Sequence, residues 1–252
     1  MGGALIEGWI ATAAFDASDL LIVDPEPGGA ARAASAGGAQ LNPPDDVLAS
    51  ARTVVVAVRP QVWSEAAAAI APKLNRQATV VSLAAGVKTA DLAAAFAPHA
   101  VARTMPTTGV AVGKGAVSIY AAEPAARAAA HALFDPVATT VDLADEALMD
   151  AAVAVSGSAP AYLYALIEAV AAAGETQGLP AEAAAALVKA TMIGAAALLD
   201  RSGADPAVLR RQVASPGGTT EAALEALLAD DGLFPLAERT VAAAAKRSRE
   251  LG

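Results

Sequence analysis

The sequence predicts an α/β chain in two parts: a parallel, doubly wound sheet layer over residues 1–145 and an all-helical part over 146–252. Three observations carry this. Short apolar, β-branched runs alternate with helical segments between Asp19 and Leu143, the spacing of strand–helix–strand units. The strand signal stops at about Asp145. Beyond it, Pro160, Pro180 and Pro206 stand where a first helical turn tolerates proline, and Gly178, Gly203 and Gly232 stand where helices end.

Taken in order, Met1–Trp9 reads as the start of an amphipathic helix with Leu5, Ile6 and Trp9 facing a core, and no strand precedes it. Asp19–Val23 is a short buried strand closed by Asp24-Pro25-Glu26-Pro27. Helix, strand and acidic residue form the back half of a dinucleotide-binding unit, so the sheet is expected to be Rossmann-like with its first strand missing. A helix runs through Arg32 to Gly37. Thr53–Val58 is β-branched throughout and is expected to be a central strand, ended by Arg59-Pro60-Gln61. Further strands are expected at Thr79–Leu83, Ala100–Pro106, Val117–Tyr120 and Thr139–Leu143, with helices at 62–73, Asp91–Phe96 and Glu123–Leu133. Helices then fill Glu146–Val155, Pro160–Gln177, Ala181–Ser202, Pro206–Val213, Thr220–Leu228 and Leu233–Leu251.

Composition narrows the function. The 252 residues are 56% hydrophobic and carry a net charge of −9, which argues against nucleic acid as a partner because phosphate contacts need clustered cations. The one basic cluster, Lys246-Arg247-Ser248-Arg249, suits the last turn of a C-terminal helix. The absence of cysteine excludes disulfides and thiolate catalysis. Ser156, Ser158, Pro160 and Glu168 interrupt the most apolar region, Ala151–Gly174, so no membrane span is expected, and no secretory signal opens the chain. A cytoplasmic location follows as the expectation. Helices such as Ala181–Val188 are apolar nearly all round and must be buried on several sides, so the helical part is expected to be a dimerisation domain.

Chemistry concentrates in Ala214-Ser215-Pro216-Gly217-Gly218-Thr219-Thr220, just before a helix. Its glycines admit close backbone approach, its threonines carry hydroxyls, and the helix start offers unpaired N–H groups and a positive dipole end, together a receptor for a carboxylate or phosphate. At the carboxyl ends of the strands lie Asp24, Val58-Arg59-Pro60, Ala84-Ala85-Gly86 and Met105-Pro106-Thr107-Thr108, the edge at which open α/β sheets bind ligands. Asp24 favours NADH through the ribose hydroxyls, while Arg32 leaves NADPH open. His99 and His131 are expected at the surface, and no residue spacing suggests a metal site. An enzyme with this inventory depends on a cofactor for its chemistry and on positioning for its rate.

Val155-Ser156-Gly157-Ser158-Ala159-Pro160-Ala161-Tyr162 and Ser215–Thr220, with Ala57–Gln61, Ser82–Val87 and Arg103–Pro106, resemble the pyrroline-5-carboxylate reductases over the full length of the chain. The resemblance implies NADPH- or NADH-dependent reduction of 1-pyrroline-5-carboxylate to L-proline by a homodimer or larger ring. It implies substrate carboxylate held by Ser215, Gly217, Gly218, Thr219 and Thr220, with Thr220 and Ser215 as the catalytic positions. Gly2, Val58, Arg59, Pro60, Ala84, Ala85 and Gly86 would follow the cofactor, as would Asp24. Glu168 matches a glutamate common in the family and either lines the site or serves as an interface carboxylate. Arg59 stands where lysine is usual, and Thr107 and Gly109 where Asn and Pro are common. Met1-Gly2 looks like the tail of the Gly-x-Gly-Asn-Met-Gly fingerprint, so weakened dinucleotide binding and a late start are expected. The alternatives are an inactive oligomerisation module of the same fold or a related cyclic-imine reductase.

Overall fold

Helix α1 (Gly2–Ala11) sets the first layer of the structure, a computed structural model that describes residues 1–251; Gly252, the last residue of the expected helical part, lies outside the described residues. Its inward face buries Leu5, Gly8 and Trp9. The Trp9 indole N–H donates to the Leu133 carbonyl at 2.7 Å, and its ring meets Phe15 edge-on with centroids 5.5 Å apart. A Cβ on Gly8 would stand 2.0 Å from the Val110 carbonyl oxygen, so the helix backbone lies directly on the 3₁₀ turn Thr108–Val112.

The chain continues through β1 (Leu21–Ile22), α2 (Gly29–Ala36), β2 (Gln40–Leu41), α3 (Asp45–Leu48), β3 (Thr53–Val56), α4 (Trp63–Ile70) and β4 (Thr79–Ser82). After α5 (Thr89–Ala95) come β5 (Val101–Pro106), β6 (Gly115–Tyr120), α6 (Pro124–Phe134) and β7 (Ala138–Asp142). β1 and β2 pair in parallel as a two-stranded sheet, separate from a five-stranded sheet in the order β3-β4-β5-β6-β7. Within the larger sheet Val56 aligns with Ser82 and Ser82 with Arg103, all in parallel.

Two expectations are corrected here. Thr53–Val58 was expected as a central strand, yet β3 is an edge of the five-stranded sheet, because among the described residues no strand pairs with its far side. The sheet is also not wholly parallel: β6 runs antiparallel to β5, with Arg103 opposite Tyr120. The link from Pro106 to Gly115 is too short for the crossover that a parallel neighbour needs, whereas α6 supplies one between the parallel strands β6 and β7.

Alternation along β4 divides the core. Val81 faces a cluster with Leu5, Trp9, Ile119 and Phe134, and Val80 faces one with Val56, Leu92, Val101 and Phe96. His99, expected at the surface, is buried, its Nδ1 3.1 Å from the Ala78 carbonyl. The imidazole is a flat, largely apolar body whose single polar contact is met by backbone. His131 is half-buried rather than isolated: Nδ1 lies 3.0 Å from Asp135 Oδ1 and Nε2 3.3 Å from Asp142 Oδ2. The Asp135 hydrogen bond, aided by Asp142 against a smaller effect of burial, holds the His131 pKa above its usual 6.5.

Behind β7, the 3₁₀ turn Glu146–Leu148, α7 (Met149–Ala152) and a π-helical turn Val153–Gly157 follow. Glu146 accepts from the Thr89 N–H at 2.8 Å, from Thr89 Oγ1 at 2.6 Å and from Arg103 Nη1 at 3.0 Å. Partial burial pushes its pKa up, but the Thr89 hydrogen bonds and the Arg103 guanidinium outweigh this and hold it below the usual carboxylate value. Arg103 is buried, and its Nε has no hydrogen-bond partner among the described residues. Residues 146–157 accordingly cluster with the sheet: one compact unit comprises Met1–Gly157 with the chain from Ala244 on, the other Ser158–Ala243.

The second unit holds α8 (Ala159–Thr176), α9 (Ala181–Ser202), α10 (Pro206–Gln212), α11 (Thr219–Leu227) and the first part of α12 (Leu233–Leu251). Gly178, at φ +95°, turns α8 into α9, and Gly203, at φ +61°, caps α9 in the left-handed conformation. Leu187 and Ile193 on α9 are more than half exposed, and Leu163 and Leu166 on α8 nearly so. Contrary to the expectation that polar interruptions leave no span, Glu146–Thr176 and Ala181–Ser202 are long and apolar enough, by length and composition, to cross a membrane. A few scattered polar residues do not offset so many Ala, Leu, Val and Ile side chains.

Two outcomes are expected. Gly8→Ala should lower unfolding stability in denaturant titration by about 2–3 kcal/mol through overpacking against Val110, whereas Gly29→Ala, which meets open space, should change it by less than about 1 kcal/mol. Glu146→Gln should cost about 2–4 kcal/mol at pH 7 by leaving Arg103 buried and unpaired. Because the Glu146 pKa is depressed on folding, that stabilisation is full above the unfolded value of about 4.3 and is lost as pH falls through the lower folded one. The stability gap between parent and variant should therefore shrink in acid.

Candidate functional site

The parallel register of β3 and β4 places two turns side by side at one sheet edge. After β3, Val58 is partly exposed, Arg59 is exposed and Pro60 opens a 3₁₀ turn. After β4, the Leu83 N–H donates to the Val56 carbonyl at 3.0 Å and the Ala84 N–H to Ser82 Oγ at 3.2 Å. Thr104 Oγ1 donates to the Ser82 carbonyl at 3.1 Å, fixing the strand end from the other side. Ala84 is buried and Ala85 half-buried. Gly86, at φ +78°, then takes the left-handed turn into the segment that starts α5 at Thr89, the residue clamped by Glu146.

Gly2 reaches the same edge: a Cβ built on it would lie 3.2 Å from the Ala57 Cβ. The first turn of α1 thus opens beside the end of β3, with leading N–H groups that lack intrahelical acceptors. Asp24 follows β1 and is held by its backbone. Its N–H donates to Asn42 Oδ1 and its carbonyl accepts from Asn42 Nδ2, both at 2.9 Å. Asp24 Oδ1 accepts from the Glu26 N–H at 2.9 Å, which leaves Oδ2 outside this turn. Arg32 donates to the Pro27 carbonyl and so is engaged by its own loop.

Thr107, where the sequence departs from the resemblance, is committed to the sheet. Its N–H donates to the Ala116 carbonyl and its Oγ1 accepts from the Ala116 N–H, each at 2.9 Å. The Ser156-Gly157 motif ends the π-helical turn, Ser156 Oγ donating to the Ala152 carbonyl at 2.7 Å. A Cβ on Gly157 would lie 3.6 Å from Met105 Cγ, so this motif and the end of β5 are brought together.

Ser215–Thr220 lies in the second compact unit, between α10 and α11, and Glu168 is exposed on α8 of the same unit. Gly2, Asp24, Val58–Pro60 and Ala84–Gly86 all belong to the first. Gly217, at φ +69°, adopts a conformation that side chains resist, although space around it is open. Gly218 is constrained differently: it is extended, its N–H donates to the Ser215 carbonyl at 2.9 Å, and a Cβ would stand 2.9 Å from that oxygen. Ser215 and Thr219 are exposed and Thr220 is half-buried. The N–H groups of Thr219, Thr220 and Glu221 occupy the first turn of α11, where no intrahelical acceptor exists.

Sequence reasoning missed two groups. Glu221 accepts from the Gly217 N–H at 2.7 Å, a reach-back from the third helical position that Gly-Gly-Thr-Thr-Glu could have signalled. The Thr89–Arg103–Glu146 cluster joins residues far apart in sequence, and no local pattern announces it.

Two family models match parts of the chain. The family described as pyrroline-5-carboxylate reductase dimerisation matches residues 146–251, and the family described as NADP oxidoreductase, coenzyme F420-dependent, matches residues 1–86. A pyrroline-5-carboxylate reductase of Pseudomonas aeruginosa is 41% identical over 210 residues, covering 82% of this chain and 77% of the relative. A solved pyrroline-5-carboxylate reductase structure from Coxiella burnetii superposes with a TM-score of 0.89 at 27% identity, covering 99% of this chain and 94% of that one. The Plasmodium falciparum pyrroline carboxylate reductase, solved with NADP bound, shares the fold with a TM-score of 0.82 at 23% identity, over 100% of this chain and 94% of its own. The chain therefore belongs to the pyrroline-5-carboxylate reductase family.

Proposed function

We propose that the protein reduces 1-pyrroline-5-carboxylate to L-proline with NADPH or NADH. The observation that carries this is the Ser215–Thr220 loop, whose left-handed Gly217 and close-packed Gly218 lead into the free first-turn N–H groups of α11. That is a receptor for a substrate carboxylate, with Thr220 and Ser215 adding hydroxyl donors. When bound, the dinucleotide supplies the hydride that reduces the imine carbon.

The remaining work falls to positioning. Gly2 and the first turn of α1 suit the pyrophosphate, Asp24 the adenosine ribose, and Val58, Arg59 and Pro60 the length of the cofactor, with Ala84, Ala85 and Gly86 at the nicotinamide end. The buried Ala84 and half-buried Ala85 keep water from that end, and Gly86 allows the backbone to turn without a side chain. An imine that binds already protonated needs no dedicated acid, so the loop's task is to fix the ring through its carboxylate. Residues 1–145 serve as the dinucleotide-binding domain and 146–252 as the dimerisation and substrate domain, with Glu168 at the site or the subunit interface.

A homodimer or larger ring is supported by the exposed apolar faces of α8 and α9, and it accounts for those helices without a membrane. The net charge of −9 supports a protein without nucleic-acid partners, and a cytoplasmic location suits a soluble biosynthetic reductase. A second reading, an oligomerisation module without turnover, is favoured by the separation of the β1–β2 pair from the larger sheet beside the dinucleotide edge.

NAD(P)H oxidation coupled to proline formation separates the two readings, the first requiring both and the second neither. Thr220→Ala should raise KM for 1-pyrroline-5-carboxylate about tenfold, the scale of one lost hydrogen bond to a charged group; unchanged KM and kcat would remove the carboxylate role. Asp24→Ser should shift the ratio of kcat/KM for NADPH over NADH upward by about tenfold, since a carboxylate at the ribose repels a 2′-phosphate. A ratio that does not move would place Asp24 outside cofactor selection.

A further inference from the structure

The carboxylate-binding loop already holds a carboxylate, its own. Glu221 Oε2 sits 2.7 Å from the Gly217 N–H, and Glu221 is exposed on the first turn of α11. The left-handed conformation of Gly217 fixes where this N–H points. The same first turn presents the amides of Thr219, Thr220 and Glu221 itself without intrahelical acceptors. We infer that Glu221 is an internal competitor for the substrate carboxylate, a specificity-determining residue that must withdraw from Gly217 before an anionic substrate can be held. This rests on the reading of Ser215–Thr220 as the carboxylate receptor.

The physical case is one of charge and of donor count. An amide N–H gives one strong hydrogen bond, so Gly217 cannot serve Glu221 and a substrate together. Two carboxylates drawn to one helix start also repel each other, and the repulsion is only partly screened in a loop this close to protein. Glu221 is tethered four residues from Gly217 and therefore always at hand, with a high effective concentration. A ligand displaces it only by engaging more of the loop than one amide. A ring carboxylate that also reaches the Thr219 and Thr220 amides and the Thr220 hydroxyl meets that demand, whereas a weakly held monoanion does not. A neutral ligand without a carboxylate neither competes with Glu221 nor gains from its removal.

The test compares Glu221→Gln and Glu221→Ala with the parent, using two ligands that differ only by the carboxylate: L-proline, followed by calorimetric titration in the presence of the oxidised dinucleotide, and pyrrolidine. In parallel, KM is measured for 1-pyrroline-5-carboxylate and for 1-pyrroline. Both variants are expected to bind L-proline about three- to thirtyfold more tightly and to lower KM for the carboxylated imine by a similar factor, with pyrrolidine and 1-pyrroline unchanged. A residue that merely braces the loop would weaken both members of each pair or neither. Unchanged or weaker L-proline binding in both variants overturns the inference, as does its absence throughout. Thr220→Ala, run alongside, separates the two levels: if it weakens L-proline while the Glu221 variants fail to tighten it, only the competitor role falls. If Thr220→Ala also leaves L-proline untouched, the receptor itself is misplaced.

Discussion

The parallel ladder from β3 through β4 to β5 is the constraint on which the proposed cofactor edge depends. Because Val56, Ser82 and Arg103 stand in register, the turns that follow β3 and β4 emerge at the same level and on the same edge. The ladder is secured by side chains as well as by backbone: Thr104 holds the Ser82 carbonyl, and Ser82 in turn holds the Ala84 N–H. A slip by one residue would exchange Val80 for Val81 and so turn each core cluster towards the wrong layer of helices. The position of Ala84–Gly86 is thus fixed by burial on both faces of β4 together with the hydrogen bond from the Ala84 N–H to Ser82.

What could be read in the sequence follows from this. Strands β3 and β4 open on consecutive β-branched residues, β5 is apolar or β-branched except at Arg103, and the turns after them are marked by proline or glycine, so their existence and order were legible. Their neighbours were not. Edge or centre is a property of pairing, and the composition of Thr53–Val58 is the same in either place. The direction of β6 depends on the length of the Thr107–Lys114 link, which hydrophobic patterning within the strands does not register. β2, only two residues long, leaves no period to detect. The glycine pair and threonines of Ser215–Thr220 stand out before a helix, a pattern that an ordinary loop with a threonine cap shares, and the hydrogen bond from Gly217 to Glu221 follows once the helix start is fixed.

The helical unit presents a different constraint. In α9, Ala184 is buried while Leu187, Ile193, Leu198 and Leu199 are exposed, so intrachain packing satisfies only a narrow stripe of an almost wholly apolar helix. Hydrophobic burial in proportion to area makes such a surface costly in water. Residues 146–251 match a family described as pyrroline-5-carboxylate reductase dimerisation, and association through these faces is the cover proposed above. Stability of this unit is then coupled to association and hence to protein concentration. Alanine makes the arrangement workable: it keeps helix propensity high while its small side chains let neighbouring backbones approach closely.

A chain with net charge −9 that handles two anionic ligands must attract them with something other than a basic surface. The arginines nearest the task are mostly spent: Arg103 on Glu146, and Arg32 on the Pro27 carbonyl. Arg59 remains exposed at the sheet edge. On the proposed reading the rest of the attraction falls to backbone N–H groups, at the starts of α1 and α11 and in the turns that Gly86 and Gly217 make possible. Fixed dipoles of this kind act over short range and demand a defined geometry, which suits recognition of a particular carboxylate better than long-range capture. The same reliance explains how one acidic side chain can regulate the loop. Where the receptor is built from a few amides rather than from cations, a single internal carboxylate placed on one of them changes the balance.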